Sequence, residues 1–166
     1  MLLAGCHRDL GVKMLSFKKL EEILAKTVTW EQQMKDLYDV AELGLNTEES
    51  KKLLVFLKES HQKHLEVLLH LNVNDYGPDE WIKFTADFGV LYQIPQHQIN
   101  RNSTAEEIFI KVKSYEESLQ SVYQKISEHT ISESQTELFT SLALMKKNQL
   151  SAITNFMEKY FNPDPG

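Results

Sequence analysis

Apolar residues recur at intervals of three and four along four separate stretches of the chain, the pattern of amphipathic helices. The first stretch runs from about Ser16 to Leu43, with Gly44 placed as a C′ stop. The second follows the capping-type start Asn46-Thr47-Glu48-Glu49 and continues to about Leu71. A third starts after Ser103-Thr104-Ala105-Glu106, read as another capping box, and ends near Glu128. The fourth starts after Ser132, with Gln135 at the capping-box position, and runs to about Phe161. Short links join the first helix to the second and the third to the fourth, so each pair is expected to form an antiparallel hairpin. Between the hairpins lie residues 72–102, with Asn74-Asp75-Tyr76-Gly77-Pro78, an amphipathic segment around Asp79–Phe88, and Pro95. A connection that long usually crosses a bundle instead of turning tightly. The expected fold is all-α: a four-helix bundle of two helical hairpins with a long crossover.

The hairpins are degenerate copies of one another. Residues 20–38, LEEILAKTVTWEQQMKDLY, reappear as residues 105–123, AEEIFIKVKSYEESLQSVY. One constant offset of 85 in numbering relates Glu31 to Glu116, Tyr38 to Tyr123, and Thr47 to Ser132 at the two caps. A repeat at constant offset fixes architecture before any local detail. An elongated helical array is the other arrangement a repeat allows, but two copies without end caps do not suit it.

Read along their inward seams, the helices give Leu24, Thr27, Glu31, Met34 and Tyr38; then Leu54, Leu57, His61, His64 and Leu68. The third gives Phe109, Val112, Glu116, Leu119 and Tyr123, and the fourth Leu142, Lys146, Gln149, Ile153 and Phe156. Six polar residues therefore fall mid-seam: Glu31, His61, His64, Glu116, Lys146 and Gln149. The same offset pairs them again, His61 with Lys146 and His64 with Gln149. In a bundle they converge on one layer of the core. A carboxylate there is costly unless it is paired, protonated or bound to a cation.

Composition narrows the possibilities. The 166 residues suit one domain, 42% are apolar and 25% charged, and Gly and Pro number only 6 and 4. A net charge of −6 without a clustered Lys/Arg face argues against general nucleic-acid binding. The single cysteine, Cys6, excludes an internal disulfide framework and a Cys-based metal cluster. No segment approaches the ~20 apolar residues of a membrane span. Residues 1–13 read as a flexible leader, with Met14 as the natural start, 14–162 as the bundle and 163–166 as a tail. Leu3-Ala4-Gly5-Cys6 is similar to a lipoprotein cleavage box but lacks the flanks of a signal peptide, so the expected compartment is the cytoplasm.

Together these segments resemble the rubrerythrin branch of the ferritin-like superfamily. WEQQMKDLY and YEESLQSVY are similar to its Glu-plus-aromatic helices, and FLKESHQKHLEVL and SLALMKKNQLSAI to its Glu-x-x-His helices. The match covers about Leu20–Met157 apart from the crossover. The resemblance implies a ferritin-like bundle in which Glu31 and Glu116 match the terminal carboxylates of a di-iron site and His64 its first histidine. The departures are specific. His61 and Lys146 stand where bridging glutamates belong, and Gln149 where the second histidine belongs. Without the bridges, two adjacent cations lack the negative charge that holds them, so di-iron oxidase, peroxidase or ferroxidase activity is not expected.

Two readings of the layer follow. In one, Glu31, His61 and His64, with Glu116, bind one divalent metal, Fe or Zn. In the other, Lys146 replaces the lost cation and pairs with Glu116 or Glu31, the histidines donate to the carboxylates, and no cofactor is bound. Tyr38 and Tyr123 flank the layer, and Trp30 and Tyr115 pack beside it. His70, His97 and His129 read as surface residues. The functional expectation is a non-catalytic ferritin-like protein with a degenerate di-iron site, serving in binding or assembly. The alternatives are a mononuclear metalloprotein of metal homeostasis or oxidative-stress response, and a helical interaction scaffold. The crossover aromatics Trp81, Phe84, Phe88 and Tyr92 suit a homodimer interface or a cap on the bundle end.

Overall fold

A computed structural model describes residues 15–85 and 99–161. Cys6 and the rest of the leader, Phe88, Tyr92, Pro95, His97 and residues 163–166 lie outside the described residues. Most of the described chain is helical, in four helices: α1 (Leu20–Gly44), α2 (Glu48–Leu69), α3 (Ala105–His129) and α4 (Glu133–Phe161). Helix α1 packs along α2 and α3 along α4, as the short links require, and the two hairpins meet through α2 against α3 and α4. No described helix is long and apolar enough to cross a membrane.

The mostly helical structure is consistent with the all-α expectation; the expected bounds are corrected at one place. Strand β1 (Leu15–Lys19) pairs antiparallel with β2 (Trp81–Thr85), with Lys19 opposite Trp81 and Phe17 opposite Lys83. The first helix therefore starts at Leu20 and not Ser16, and the amphipathic segment of the crossover is extended over 81–85. Phe17 of β1 shares a face with Trp81 and is 57% exposed, so pairing with β2, and not burial of an alternating face, makes 15–19 a strand. Ile82 turns inward at 1% exposure while Trp81 stays 62% exposed. The Lys19 ammonium also pairs with Asp79 at 3.0 Å, and the Glu22 carboxylate accepts from the Lys19 backbone N–H. These contacts start α1 where the strand ends.

The helix ends show local chemistry competing with tertiary contacts. Thr47 caps α2 as expected, its Oγ1 accepting from the Ser50 N–H. For α3 the cap is Thr104, one residue later than expected. Its Oγ1 accepts from the Glu107 N–H at 3.2 Å, and the Glu107 carboxylate accepts from the Thr104 N–H at 2.9 Å. Ser103 is drawn elsewhere: its hydroxyl accepts from the Asn100 N–H and its carbonyl from the buried Ser50 hydroxyl. Together with a bond from the Asn46 N–H to the Arg101 carbonyl, this ties the end of the crossover to the α1–α2 turn. Thr104→Ala is expected to cost about 1 kcal/mol, read as a lower urea midpoint at unchanged slope; an unaltered midpoint would leave the cap without energetic weight.

Gly44 is not a left-handed stop, since α1 includes it and exits through extended Leu45, whose side chain is buried. The positive-φ glycine among the described residues is Gly77, at φ 66°, closing the 3-10 turn Val73–Tyr76. Gln135 does not cap α4. It is buried, and its Nε2 donates to the Tyr76 and Gly77 carbonyls at 3.0 and 3.2 Å, so it fastens the crossover to α4. The expected seams are otherwise those that are buried. The exceptions are Phe109, His64 and Phe156, which are only partly covered, while Ile108 and Met157 take core positions. Phe156 instead stacks on Phe56 with ring centroids 4.4 Å apart.

Candidate functional site

Each helix contributes one ionisable side chain to a single layer: Glu31 from α1, His61 from α2, Glu116 from α3 and Lys146 from α4, all at 0% exposure. Helical spacing puts these residues on the inward seams, and the packing of the hairpins brings the seams to a common level. His61 Nδ1 lies 2.7 Å from Glu31 Oε2, and His61 Nε2 lies 2.9 Å from Glu116 Oε1. The Lys146 ammonium pairs with Glu31 Oε1 and sits 3.1 Å from Glu116 Oε2. The four groups thus form a closed ring in which acid and base alternate.

Both nitrogens of His61 lie within ion-pair distance of a carboxylate, an arrangement that favours the imidazolium, which carries an N–H at each nitrogen. Two carboxylates then balance two cations and the buried layer is neutral. Glu31 Oε2 makes an aligned hydrogen bond with His61, whereas Glu31 Oε1 and both oxygens of Glu116 lie within ion-pair distance of their cations without hydrogen-bond alignment. Burial alone would neutralise all four groups, but the partners outweigh it. Burial opposes ionisation of Glu31 and Glu116, yet Lys146 and then His61 hold both carboxyls below the usual carboxylate range. Burial likewise opposes the His61 cation, and Glu116 and Glu31 nonetheless push its pKa up to about 8. Lys146, charged in water in any case, is held above its usual value by the same two carboxylates against the opposing effect of burial.

Around the ring lie the other residues of the layer. Gln149 Oε1 accepts from the Lys146 ammonium at 3.2 Å. The Tyr38 hydroxyl is 3.4 Å from His61 Nε2, and its ring meets the imidazole edge-on at 5.1 Å. Tyr123 is fully buried one helix away and packs near Phe139. Burial, reinforced by nearby carboxylate charge, raises the pKa of Tyr38, Tyr115 and Tyr123. Trp30 and Tyr115 are buried beside the layer as expected.

His64 departs from the metal-free reading, in which both histidines donate to the carboxylates. Three residues along α2 from His61, it is turned toward α4, its ring centroid 6.4 Å from that of His61. Its Nδ1 is buried with no hydrogen-bond partner among the described residues. Burial first and Lys146 second lower its pKa to about 4, so the imidazole is neutral at physiological pH. His70 and His129 lie at the surface, each with Nδ1 on a backbone carbonyl of the preceding turn.

The residues do not fit the di-iron site that the sequence resemblance implies. All four carboxylate oxygens already face a protein cation, and the ammonium of Lys146 lies between the two carboxylates. A divalent ion ~4 Å from that ammonium would meet repulsion on the order of 8 kcal/mol at an effective dielectric of ~20. The sequence reading paired Lys146 with one glutamate or the other, whereas the structure has it on both. Comparison with known proteins adds no relative: no family model, curated protein or solved structure matches the chain.

Proposed function

We propose that the protein is a non-catalytic, ferritin-like helical bundle, related to the rubrerythrins, whose former di-metal layer has become a permanent ion-paired lock, and that it serves in binding or assembly. The observation that carries this reading is the alternation of charge around Glu31, His61, Glu116 and Lys146, with every carboxylate oxygen faced by a cation. Imidazolium and ammonium supply the two positive charges that a pair of metal ions would bring. The constant offset of the repeat supports a common origin of the layer, since it relates Glu31 to Glu116 and His61 to Lys146. The duplicated hairpins and long crossover support the ferritin-like connectivity. A buried ring of this kind holds four helices in one register, because any slip strands a charge away from water.

Elemental analysis of protein purified without chelators or a metal-affinity tag, before and after anaerobic iron loading, tests the reading. The expected result is well under one metal ion per chain. One ion per chain, lost in Glu31→Ala or His64→Ala, would establish the mononuclear alternative in its place. Two irons per chain would overturn the claim that the protein's own cations fill the layer.

A further inference from the structure

The ring holds an amine and a carboxyl group in contact at a depth that excludes bulk water. The Lys146 ammonium meets Glu31 Oε1, and both side chains are fully buried. Amine and carboxyl are the two halves of an amide bond. Here they come from α4 and α1, so an amide between them would join one hairpin to the other.

The same ring supplies the groups that such a condensation needs. Glu116 Oε2 lies 3.1 Å from the Lys146 nitrogen, close enough to take a proton from it. That transfer uncovers the nitrogen lone pair and leaves the net charge of the layer unchanged. On the other side of the Glu31 carboxyl, Oε2 is 2.7 Å from His61 Nδ1 in an aligned hydrogen bond. An imidazolium N–H at that point draws electron density from the carboxyl carbon and stabilises the charge that develops on Oε2 during attack. Burial opposes the charged forms of Glu31 and Lys146 alike, and an amide removes both charges together. Well-oriented groups held in contact react as if present at ~10⁵ M or more. With water excluded, hydrolysis of the product is suppressed.

We propose that Lys146 and Glu31 condense in the folded protein to an amide cross-link between α1 and α4, with Glu116 relaying protons and His61 polarising the Glu31 carboxyl. The Lys146 nitrogen attacks the Glu31 carboxyl carbon; the C–N bond forms and the C–Oε1 bond breaks. Of the three ammonium protons, one stays on the amide nitrogen and two leave with Oε1 as water. Glu116 passes these protons and ends as the carboxylate. His61 keeps its own, so the product layer holds one imidazolium and one carboxylate and is again neutral. The step is a dehydration and consumes no oxidant, reductant or co-reactant. The proposal rests on the metal-free reading of the ring, because an ion bound by Glu31 would occupy its carboxylate. The two fail separately, one on metal content and the other on mass.

Intact mass spectrometry of the full-length protein during incubation under folding conditions tests the cross-link. The expected result is a species lighter by one water whose fraction grows with time, and proteolysis should release a branched peptide joining Glu31 to Lys146. The same protein held in urea should gain none of this species, since unfolding separates the two groups. Glu116→Gln should slow its formation by ~100-fold or more. Lys146→Arg, which keeps a cation in the ring, should abolish it, with circular dichroism checking the helix content of both variants. The urea comparison uses the wild-type chain and decides the matter even where a variant fails to fold. A folded wild type of unchanged mass, a water loss that proceeds equally in urea or in Lys146→Arg, a branch at other residues, or an undiminished rate in folded Glu116→Gln would each overturn the proposal.

Discussion

Replacing Lys146 by Met is expected to destabilise the protein by about 3–5 kcal/mol near neutral pH, the range for removing one partner of a buried ion pair. The side chains are of similar length, so the packing of α4 changes little and the effect is electrostatic. In the variant, Glu31 Oε1 and Glu116 Oε2 lose their common cation, and a single imidazolium faces two buried carboxylates. One carboxyl then takes up a proton, because desolvation, already the largest single influence on both, is no longer outweighed by Lys146. The loss should therefore be greatest at neutral pH and smaller at acid pH, where that proton comes without cost. Urea denaturation of the wild type and the variant at two pH values measures both points. A Lys146→Met protein as stable as the wild type at neutral pH would end the argument that the ring is held by its charges.

Stability of the wild type is expected to fall by about 2 kcal/mol on the alkaline side of neutrality. The folded pKa of His61 is raised from 6.5 to about 8. A group with a raised folded pKa contributes fully below its unfolded pKa, and the contribution is lost as pH rises through the folded value. At ~1.36 kcal/mol for each pH unit between the two values, the difference comes to about 2 kcal/mol. Above that range one nitrogen of His61 presents a lone pair to a carboxylate, and the buried layer carries a net negative charge. The two glutamates act on the other limb. Their folded pKa values lie below 4.5, so their contribution is present above that pH and fades as pH falls through the lowered values. Maximum stability should then lie between about pH 4.5 and 6.5, the window set by those reference values. Thermal or urea unfolding across pH 5 to 9 gives the profile, and His61→Gln should flatten its alkaline limb. A wild-type profile that is level between pH 6.5 and 9 would mean that His61 is neutral in the fold.

Much of the site was legible because helical periodicity is a local property. Glu31, His61, Glu116, Lys146 and Gln149 fall on apolar seams whatever the neighbouring helices do, and the repeat pairs them before any contact is known. The seam could not distinguish His61 from His64. They lie three residues apart, and a small rotation of α2 decides which one enters the layer and which turns toward α4. The seam also could not show that Lys146 reaches both glutamates, since that depends on the relative height of α1, α3 and α4. Gln135 and Ser103 show the same limit at the helix ends. Both have the right side chain for a cap, but Gln135 is recruited by the distant Tyr76 and Gly77 carbonyls, while the Ser103 hydroxyl is taken by the Asn100 N–H three residues before it and its carbonyl by the distant Ser50 hydroxyl.

By itself, then, the sequence determined four helices, two hairpins, the long connection between them and the set of polar residues that must share the interior. Each of these follows from local spacings of three and four or from the single offset of the repeat. Tertiary structure alone decided that residues 15–19 pair with 81–85, that the four charged groups alternate in a ring, and that His61, not His64, enters it. Those outcomes depend on the rotation and axial offset of packed elements, which differ only slightly between alternatives. For buried charges a difference of that size separates an ion pair from a stranded ion.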